Sequence, residues 1–168
     1  AYCALSDSAQ RVQSLSLVHE KLYQSSDFST LDLGEYIRDF SQGFLGAFDP
    51  SSYFDFSIEV ENVETDIDTA IPIGLCVNEI LSNSLKYGRA EGGRRGSIRL
   101  SLKKDGQGFL LTMADCGPGF DLSAARGSGS LGLLLIDSLV QQVRGTLKLD
   151  ASAGTRYEIR VPRARFRT

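Results

Sequence analysis

The stretch from Gly96 to Cys116 constrains the fold most, because it reads as two adjacent antiparallel strands. Its sequence is GSIRLSLKKDGQGFLLTMADC. Apolar residues alternate with polar ones through the first half, which is the pattern of a half-buried strand. KDGQG then turns the chain into a second, more apolar strand. Adjacent antiparallel strands disfavour a doubly wound parallel sheet of the Rossmann type.

A helical section precedes this hairpin. Apolar spacing predicts helices over residues 6–24 and 31–48, and Pro50 ends the helical section because proline cannot continue a helix. Because the pattern changes from helical to strand-like beyond this proline, we predict two parts, a helical segment over residues 1–48 and an α/β domain over residues 49–168.

The second part alternates strands with helices around the hairpin. A half-buried strand is predicted from Tyr53, followed by a long helix that ends at Gly88. After the hairpin and a Gly-rich stretch, a helix begins near Ser130, and a last hairpin over residues 146–161 closes the domain. The expected architecture is therefore a sandwich of helices against a sheet with antiparallel neighbours.

Composition excludes several classes of function. The chain has 168 residues, 42% of them hydrophobic, and a formal net charge of −3. An acidic balance with mixed signs is a poor match for nucleic acid, so no nucleic-acid partner is expected. No apolar run approaches membrane-spanning length, and no membrane contact is expected. Three cysteines without CxxC spacing indicate a reducing, cytosolic setting and argue against a disulfide or zinc framework.

The predicted long helix carries polar residues in a regular pattern. In NEILSNSLKYG, Glu79, Asn83 and Lys86 fall at positions i, i+4 and i+7 along one edge of an apolar stripe, and Tyr87 lies close by. This aligns an acid, an amide, a cation and an aromatic ring beside a buried face. Taken alone, the pattern is also that of a solvated helix flank.

Two Gly-rich loops follow. A buried strand ends at Asp115 and runs directly into Gly117 and Gly119, which would let a ligand approach the backbone closely, although a tight turn would need the same residues. In ARGSGSLGLLLI, Gly127 and Gly129 precede a helix whose exposed N-terminal amides suit a phosphate. The spacing fits neither the P-loop nor the Rossmann fingerprint.

The order of these motifs resembles the Bergerat fold, the ATP-binding domain of the GHKL class, which includes gyrase and histidine kinases. The sequence has E-x-x-x-N-x-x-K-Y on a helix, a strand ending in D-x-G-x-G, a short loop with L-G-L opening a helix, and then GTRYEI. The resemblance covers about residues 50–162. It implies an α+β two-layer sandwich with a mixed, mostly antiparallel sheet and helices on one face, preceded by an N-terminal helical segment.

The N-terminal segment resembles one branch of the histidine kinases in particular. RVQSLSLVHEKLYQSSDFSTLDLGEYIRDF is similar to the second half of the dimerisation region in sensor histidine kinases with a type 2 phosphoacceptor domain, the HWE-like branch. In that branch the phosphorylated histidine lies on the preceding helix, in a segment that this sequence lacks. The only histidine is His19, in VHEKLY, which follows the acceptor helix in the branch. The resemblance does not make His19 the acceptor.

The resemblance also implies roles for the polar helix residues. Asn83 would coordinate a Mg²⁺ ion that bridges the ATP phosphates, and Glu79 would organise the waters of the metal or act as a base. Lys86 would approach the phosphates, and Tyr87 would pack near the ribose or the base.

For the loops, the resemblance implies a base pocket and a lid. Asp115 would accept a hydrogen bond from the adenine amino group, with Thr155 assisting through water. The glycines would shape the adenine pocket (Gly117 and Gly119), form the lid hinge (Gly127 and Gly129), and open the phosphate-facing helix (Leu131 and Gly132).

Three positions depart from the common family pattern. Cys116 stands where many relatives have Asn after the adenine Asp, Ser130 stands where the commonest histidine kinases have Gly, and Arg144 stands where Gly is frequent. None of these changes removes a residue that the resemblance assigns to ATP or Mg²⁺.

The resemblance implies the catalytic domain of a sensor histidine kinase. It would transfer the γ-phosphoryl group of Mg·ATP to a histidine outside this sequence, and a response-regulator receiver domain would then accept it. The intact kinase would be a homodimer, and this part of it would be cytoplasmic or the cytoplasmic portion of a membrane-associated sensor. Alternatives are a protein-serine kinase of the anti-sigma-factor type, an ATPase of the gyrase kind, and a nucleotide-sensing module without kinase activity.

Overall fold

The computed structural model describes residues 30–48, 54–88, 95–106, 108–127 and 130–162. The helix predicted over residues 6–24, with His19, lies outside these ranges. The described elements are, in chain order, β1 (Leu31–Asp32), α1 (Leu33–Phe48), β2 (Phe54–Val60), β3 (Glu64–Thr65), α2 (Ile67–Tyr87), β4 (Gly96–Asp105), β5 (Gly108–Asp115), α3 (Leu122–Gly127), α4 (Leu131–Gln142), β6 (Thr146–Asp150) and β7 (Thr155–Val161).

The main sheet has five strands in the order β2-β4-β5-β7-β6. β2 and β4 are parallel, as strands joined through a crossover helix such as α2 can be, and the other three neighbouring pairs are antiparallel. The hairpin predicted from Gly96 to Cys116 is the β4–β5 pair. The prediction of a mixed, mostly antiparallel sheet is confirmed.

One face of the sheet is buried and the other is solvated. Along β4, Ile98, Leu100 and Leu102 are buried, whereas Arg99 and Lys103, at alternate positions of the same strand, are exposed. Apolar side chains from α1, α2 and α4 join these residues in one core. Burial of each large aliphatic side chain contributes about 1.5–3 kcal/mol, so the alternation in sequence decides which face the helices cover. The predicted two-layer arrangement is confirmed.

α1 begins at a side-chain cap and packs into the same core. The Oδ1 atom of Asp32 accepts a hydrogen bond from the backbone N–H of Gly34 at 2.8 Å. Tyr36 and Ile37 of α1 are almost fully buried, and the Tyr36 ring lies against Gly74 of α2. The boundary predicted after residue 48 would separate α1 from the elements that follow it. In the structure, the apolar side chains of α1 pack in the same core as those elements.

α2 brings the polar residues of the NEILSNSLKYG motif to the end of the sheet. The Oδ1 atom of Asp66 caps this helix by accepting a hydrogen bond from the N–H of Thr69 at 2.8 Å, and the helix ends before Gly88. Across the described residues, no helix is both long enough and apolar enough to cross a membrane.

Candidate functional site

Segments that are far apart in sequence meet at one end of the sheet. β5 ends at Asp115 and β7 begins at Thr155, and the antiparallel register places these two residues opposite each other. The last two turns of α2 lie beside them, because the hydroxyl of Ser84 reaches the Asp115 carboxylate. The site is therefore built on regular elements, and its position is fixed by the sheet register.

The Asp115 carboxylate is held by three hydrogen-bond donors. Its Oδ1 atom accepts the backbone N–H of Gly117 at 3.0 Å and that of Thr155 at 3.2 Å. Its Oδ2 atom accepts the hydroxyl of Ser84 at 2.9 Å. An ionised carboxylate has about four acceptor positions, so this one can take a further donor from a ligand.

The DCGPG loop depends on glycine at two points. Gly119 has φ of 73°, a left-handed conformation that favours glycine, and a Cβ atom there would collide with the carbonyl oxygen of Ala151. A Cβ atom at Gly117 would lie 2.7 Å from the Cα atom of Gly88. The loop can therefore approach the end of α2 closely only with glycine at this position.

The N-terminus of α4 lies beside the acid and the amide of α2. A Cβ atom at Gly132 would lie 3.6 Å from Nδ2 of Asn83 and 3.7 Å from Oε2 of Glu79. The first backbone N–H groups of a helix have no partner within it and carry its positive dipole end. This corner of the site therefore combines amide donors with two oxygen-bearing side chains.

Tyr157 interacts with groups at both ends of the site, Asp115 and Asn83. It is buried on the inner face of β7 and forms a hydrogen bond with Asn83. Burial, and then the nearby Asp115 charge, raise the pKa of Tyr157 to about 12, against a smaller lowering by the Asn83 hydrogen bond. The phenol is neutral at physiological pH and serves as a fixed hydrogen-bonding group.

A cleft of about 610 Å³ opens between these elements, which is within the range of small-molecule sites. Apolar and polar side chains both line it, and Tyr87 at its edge is 72% exposed. The lining residues are Asn83, Ser84, Lys86, Tyr87, Asp115, Pro118, Gly119, Phe120, Ala125, Ser130, Leu133, Thr155 and Tyr157.

The structure brings most of the predicted site residues together. Six line the cleft: Asn83, Lys86, Tyr87, Asp115, Gly119 and Thr155. Gly117 contacts Asp115, and Gly132 lies against Glu79 and Asn83. Gly127 ends α3 with nothing within 4 Å of its Cβ position, Leu131 is 72% exposed, and Gly129 lies outside the described residues.

Sequence reasoning missed two polar residues of the cleft, Ser84 and Tyr157. Ser84 follows the predicted Asn83 directly. Its spacing of four residues from Ile80 places it on the apolar stripe of the helix, and a hydroxyl there is the signal that could have indicated a polar partner. Tyr157 shares its face of β7 with Ile159, so the alternation predicts a core residue, while the phenol hydroxyl requires a hydrogen bond.

Cys116 occupies an exposed position next to the cleft. Its Sγ atom accepts the backbone N–H of Ser97 at 3.0 Å, which ties the loop to β4. Cys76, by contrast, is fully buried in α2. Burial, and then the Glu79 charge, raise the pKa of Cys76 to about 12, so this thiol stays protonated at neutral pH.

A family model described as "Histidine kinase-like ATPase domain" matches residues 57–157. The chain belongs to this family. A second model, described as "Histidine kinase", matches residues 1–47 of the same chain. The two matches together identify a histidine kinase of the HWE-like branch with a GHKL-type ATPase domain, and they do not favour the serine-kinase or gyrase-type alternatives.

Solved structures of histidine kinases share the fold of this domain. The histidine kinase domain of a blue-light activated histidine kinase from Erythrobacter litoralis has a TM-score of 0.81 and 24% identity, over 93% of this chain and 74% of that one. For another structure of that kinase the TM-score is 0.77 and the identity 24%, and the match spans 92% of this chain and 53% of that one.

A more distant structural relative has the same architecture. The mycobacterial sensor histidine kinase MprB has a TM-score of 0.63 and 20% identity, over 79% of this histidine kinase domain and 95% of that chain. The comparison with curated protein sequences gave no match. ATP binding is the property that membership of the histidine kinase-like ATPase family implies for the cleft.

Proposed function

We propose that the cleft binds Mg·ATP and presents its γ-phosphoryl group for transfer to a histidine outside this sequence. The observation that carries the proposal is the Asp115 carboxylate, fixed by three donors at the wall of a 610 Å³ cleft whose other end lies at a helix N-terminus. A fixed acceptor at one end and exposed amide donors at the other suit a purine base and a phosphate chain.

The nucleotide would lie along the cleft in one direction. The exocyclic amino group of adenine would donate to Asp115, near Thr155, and Tyr87 would pack near the ribose or the base. The phosphates would extend past Lys86 towards the start of α4, where Gly132 leaves room for them and the first-turn amides point. Gly127 would belong to the lid hinge, and Leu131 would open that helix.

The residues near Gly132 fit a magnesium ion that arrives with ATP. Within the ranges that the structure describes, no group of three or more His, Cys, Asp and Glu side chains is placed to hold a metal ion. Mg²⁺ prefers oxygen ligands, keeps several waters and is commonly held by one or two protein groups together with substrate phosphates. Asn83 would supply an amide oxygen and Glu79 would order the waters, and the ion would neutralise phosphate charge.

Phosphoryl transfer at this site would require the protein to position the reacting groups more than to take part in covalent chemistry. Phosphoryl transfer proceeds when the attacking atom and the γ-phosphoryl group are held in line and the charge on the phosphate oxygens is compensated. Lys86 and the α4 amides would provide that compensation. A receiver domain of a response regulator would take the phosphoryl group next, from a homodimeric kinase whose catalytic part lies in the cytoplasm.

Calorimetric titration of the 168-residue chain with ATP tests the proposal. Wild type is expected to bind ATP more tightly with Mg²⁺ than without it. Asp115→Asn should abolish measurable binding, because the amide nitrogen would face the adenine amino group donor to donor. Asn83→Ala should remove the Mg²⁺ dependence while the base contact remains. Circular dichroism of each variant controls for folding, and no heat with folded wild type at millimolar ATP would sink the proposal.

A further inference from the structure

Ser84 is a buried hydroxyl at the cleft that none of the predicted roles uses. It is 3% exposed and lies one residue after Asn83 in α2. A serine within a helix commonly bonds back to a carbonyl of the preceding turn. Here the Ser84 hydroxyl instead donates to Oδ2 of Asp115 at 2.9 Å, on a strand 31 residues away in sequence.

The end of α2 is shaped to receive the Asp115 side chain. Gly88 follows the last helical residue, and its N–H donates to the carbonyl of Ser84 at 2.7 Å. A Cβ atom at Gly88 would lie 3.0 Å from Cβ and Cγ of Asp115, closer than carbon atoms normally approach. The carboxylate therefore packs directly against the helix end, within reach of the hydroxyl one turn earlier.

The three hydrogen bonds divide the two carboxylate oxygens unequally. Oδ1 accepts two backbone N–H groups, from Gly117 and Thr155, and both of its acceptor positions are thereby used. Oδ2 accepts the Ser84 hydroxyl alone, counting donors from the described residues. The remaining acceptor position of the carboxylate is thus on Oδ2, the oxygen that Ser84 holds.

This arrangement has a consequence for the choice of base. A carboxylate that is already fixed by donors presents an acceptor to the ligand. Adenine offers an amino donor at position 6, whereas guanine and hypoxanthine offer a carbonyl acceptor there, which would meet the carboxylate acceptor to acceptor. The discrimination depends on the orientation of Oδ2, because a carboxylate that can rotate can turn its acceptor position away.

We propose that Ser84 is a positioning residue for base selection: its hydroxyl orients Oδ2 of Asp115 so that the remaining acceptor position takes the 6-amino group of adenine. The inference rests on the proposed ATP site and deepens it. It assigns a role to a side chain that is expected to make no contact of its own with the phosphates or the metal.

The test compares two nucleotides on the 168-residue chain by calorimetry. One is ATP, and the other is purine riboside triphosphate, which lacks the 6-amino group and is otherwise the same molecule. Ser84→Ala should weaken ATP binding about tenfold, the loss expected for a charge-assisted hydrogen bond, and leave the affinity for the analogue unchanged. The ATP-to-analogue ratio should therefore fall by the same factor.

Two further variants sharpen the comparison. Ser84→Cys keeps a donor at this position, although the sulfur atom is larger and donates more weakly, and should give an intermediate ratio. Ser82→Ala removes a buried hydroxyl from the opposite side of the same helix, away from the cleft, and should leave the ratio at the wild-type value. Thermal unfolding shows whether each variant is folded.

The outcomes separate this inference from the proposed function. In Ser84→Ala, equal losses of affinity for ATP and for the analogue would leave their ratio unchanged and would mean that the hydroxyl supports cleft packing only. That result would overturn the positioning role while the ATP site stands. If folded wild type binds neither nucleotide, the ATP site itself is wrong and the inference fails with it.

Discussion

Arg144 adopts a backbone conformation that suits glycine, with φ of 56°, two residues after the end of α4. Its N–H donates to the carbonyl of Gln141 at 2.9 Å as the helix ends. A side chain with a Cβ atom costs about 1–2 kcal/mol in this left-handed region, while glycine loses more chain entropy on folding. We therefore expect Arg144→Gly to raise the free energy of unfolding by about 0.5–1 kcal/mol, measured by urea denaturation.

Arg144→Ala is the matched control for this residue. It removes the guanidinium group but keeps the Cβ atom, so the backbone strain remains and little gain is expected. Equal stabilisation by alanine and glycine would show that the arginine side chain, and not the backbone conformation, is responsible. The sequence already identified Arg144 as standing where relatives often have glycine, and the conformation supplies the physical reason for that preference.

The contact between α1 and α2 depends on the absence of a side chain at Gly74. A Cβ atom there would collide with the hydroxyl of Tyr36 and lie 2.8 Å from two of its ring carbons. Overpacking costs typically about 1–3 kcal/mol, against roughly 1 kcal/mol gained from the better helix propensity of alanine. Gly74→Ala should therefore lower the free energy of unfolding by about 1 kcal/mol in urea denaturation.

Two matched variants check the origin of this cost. Gly43→Ala, in the middle of α1 with nothing within 4 Å of its Cβ position, should instead stabilise the protein by about 0.5–1 kcal/mol. In a Tyr36→Phe background, which removes the nearest atom, Gly74→Ala should cost less. A Gly74→Ala protein as stable as Gly43→Ala would refute close packing between the two helices.

The elements with a periodic pattern could be predicted from the sequence, and those without one could not. Alternation identified β4 and helical spacing identified α2, because burial of one face imposes the period on the sequence. β5 was predicted from the turn before it and its apolar run. β1 and β3 have only two residues each, too few to show any period. α3 has no buried residue and therefore no apolar stripe.

At the site, Asp115 was predicted from its motif. Its hydrogen bond with Ser84 could not be predicted, because it depends on how α2 and β5 are packed together.

For the whole molecule, the central question is whether the chain contains an acceptor for the phosphoryl group. The proposed site brings together motifs from α2, the end of β5, α4 and the start of β7, so nucleotide binding requires only the folded domain. Transfer also requires a histidine that can reach the γ-phosphoryl group. His19 is the only histidine in the sequence, and the family resemblance places it after the acceptor helix and not on it.

We therefore expect the 168-residue chain to bind ATP without phosphorylating itself. Incubation with ATP labelled in the γ-phosphoryl group should leave no acid-labile label on the protein, under conditions in which calorimetry shows the nucleotide to be bound. His19→Gln is the control, and it should bind ATP as wild type does, because every residue proposed to contact ATP or Mg²⁺ lies between Glu79 and Thr155. Acid-labile label on wild type that disappears in His19→Gln would make His19 the acceptor. The chain would then carry both the donor site and the acceptor, and a transfer geometry within or between copies of this segment would have to be found.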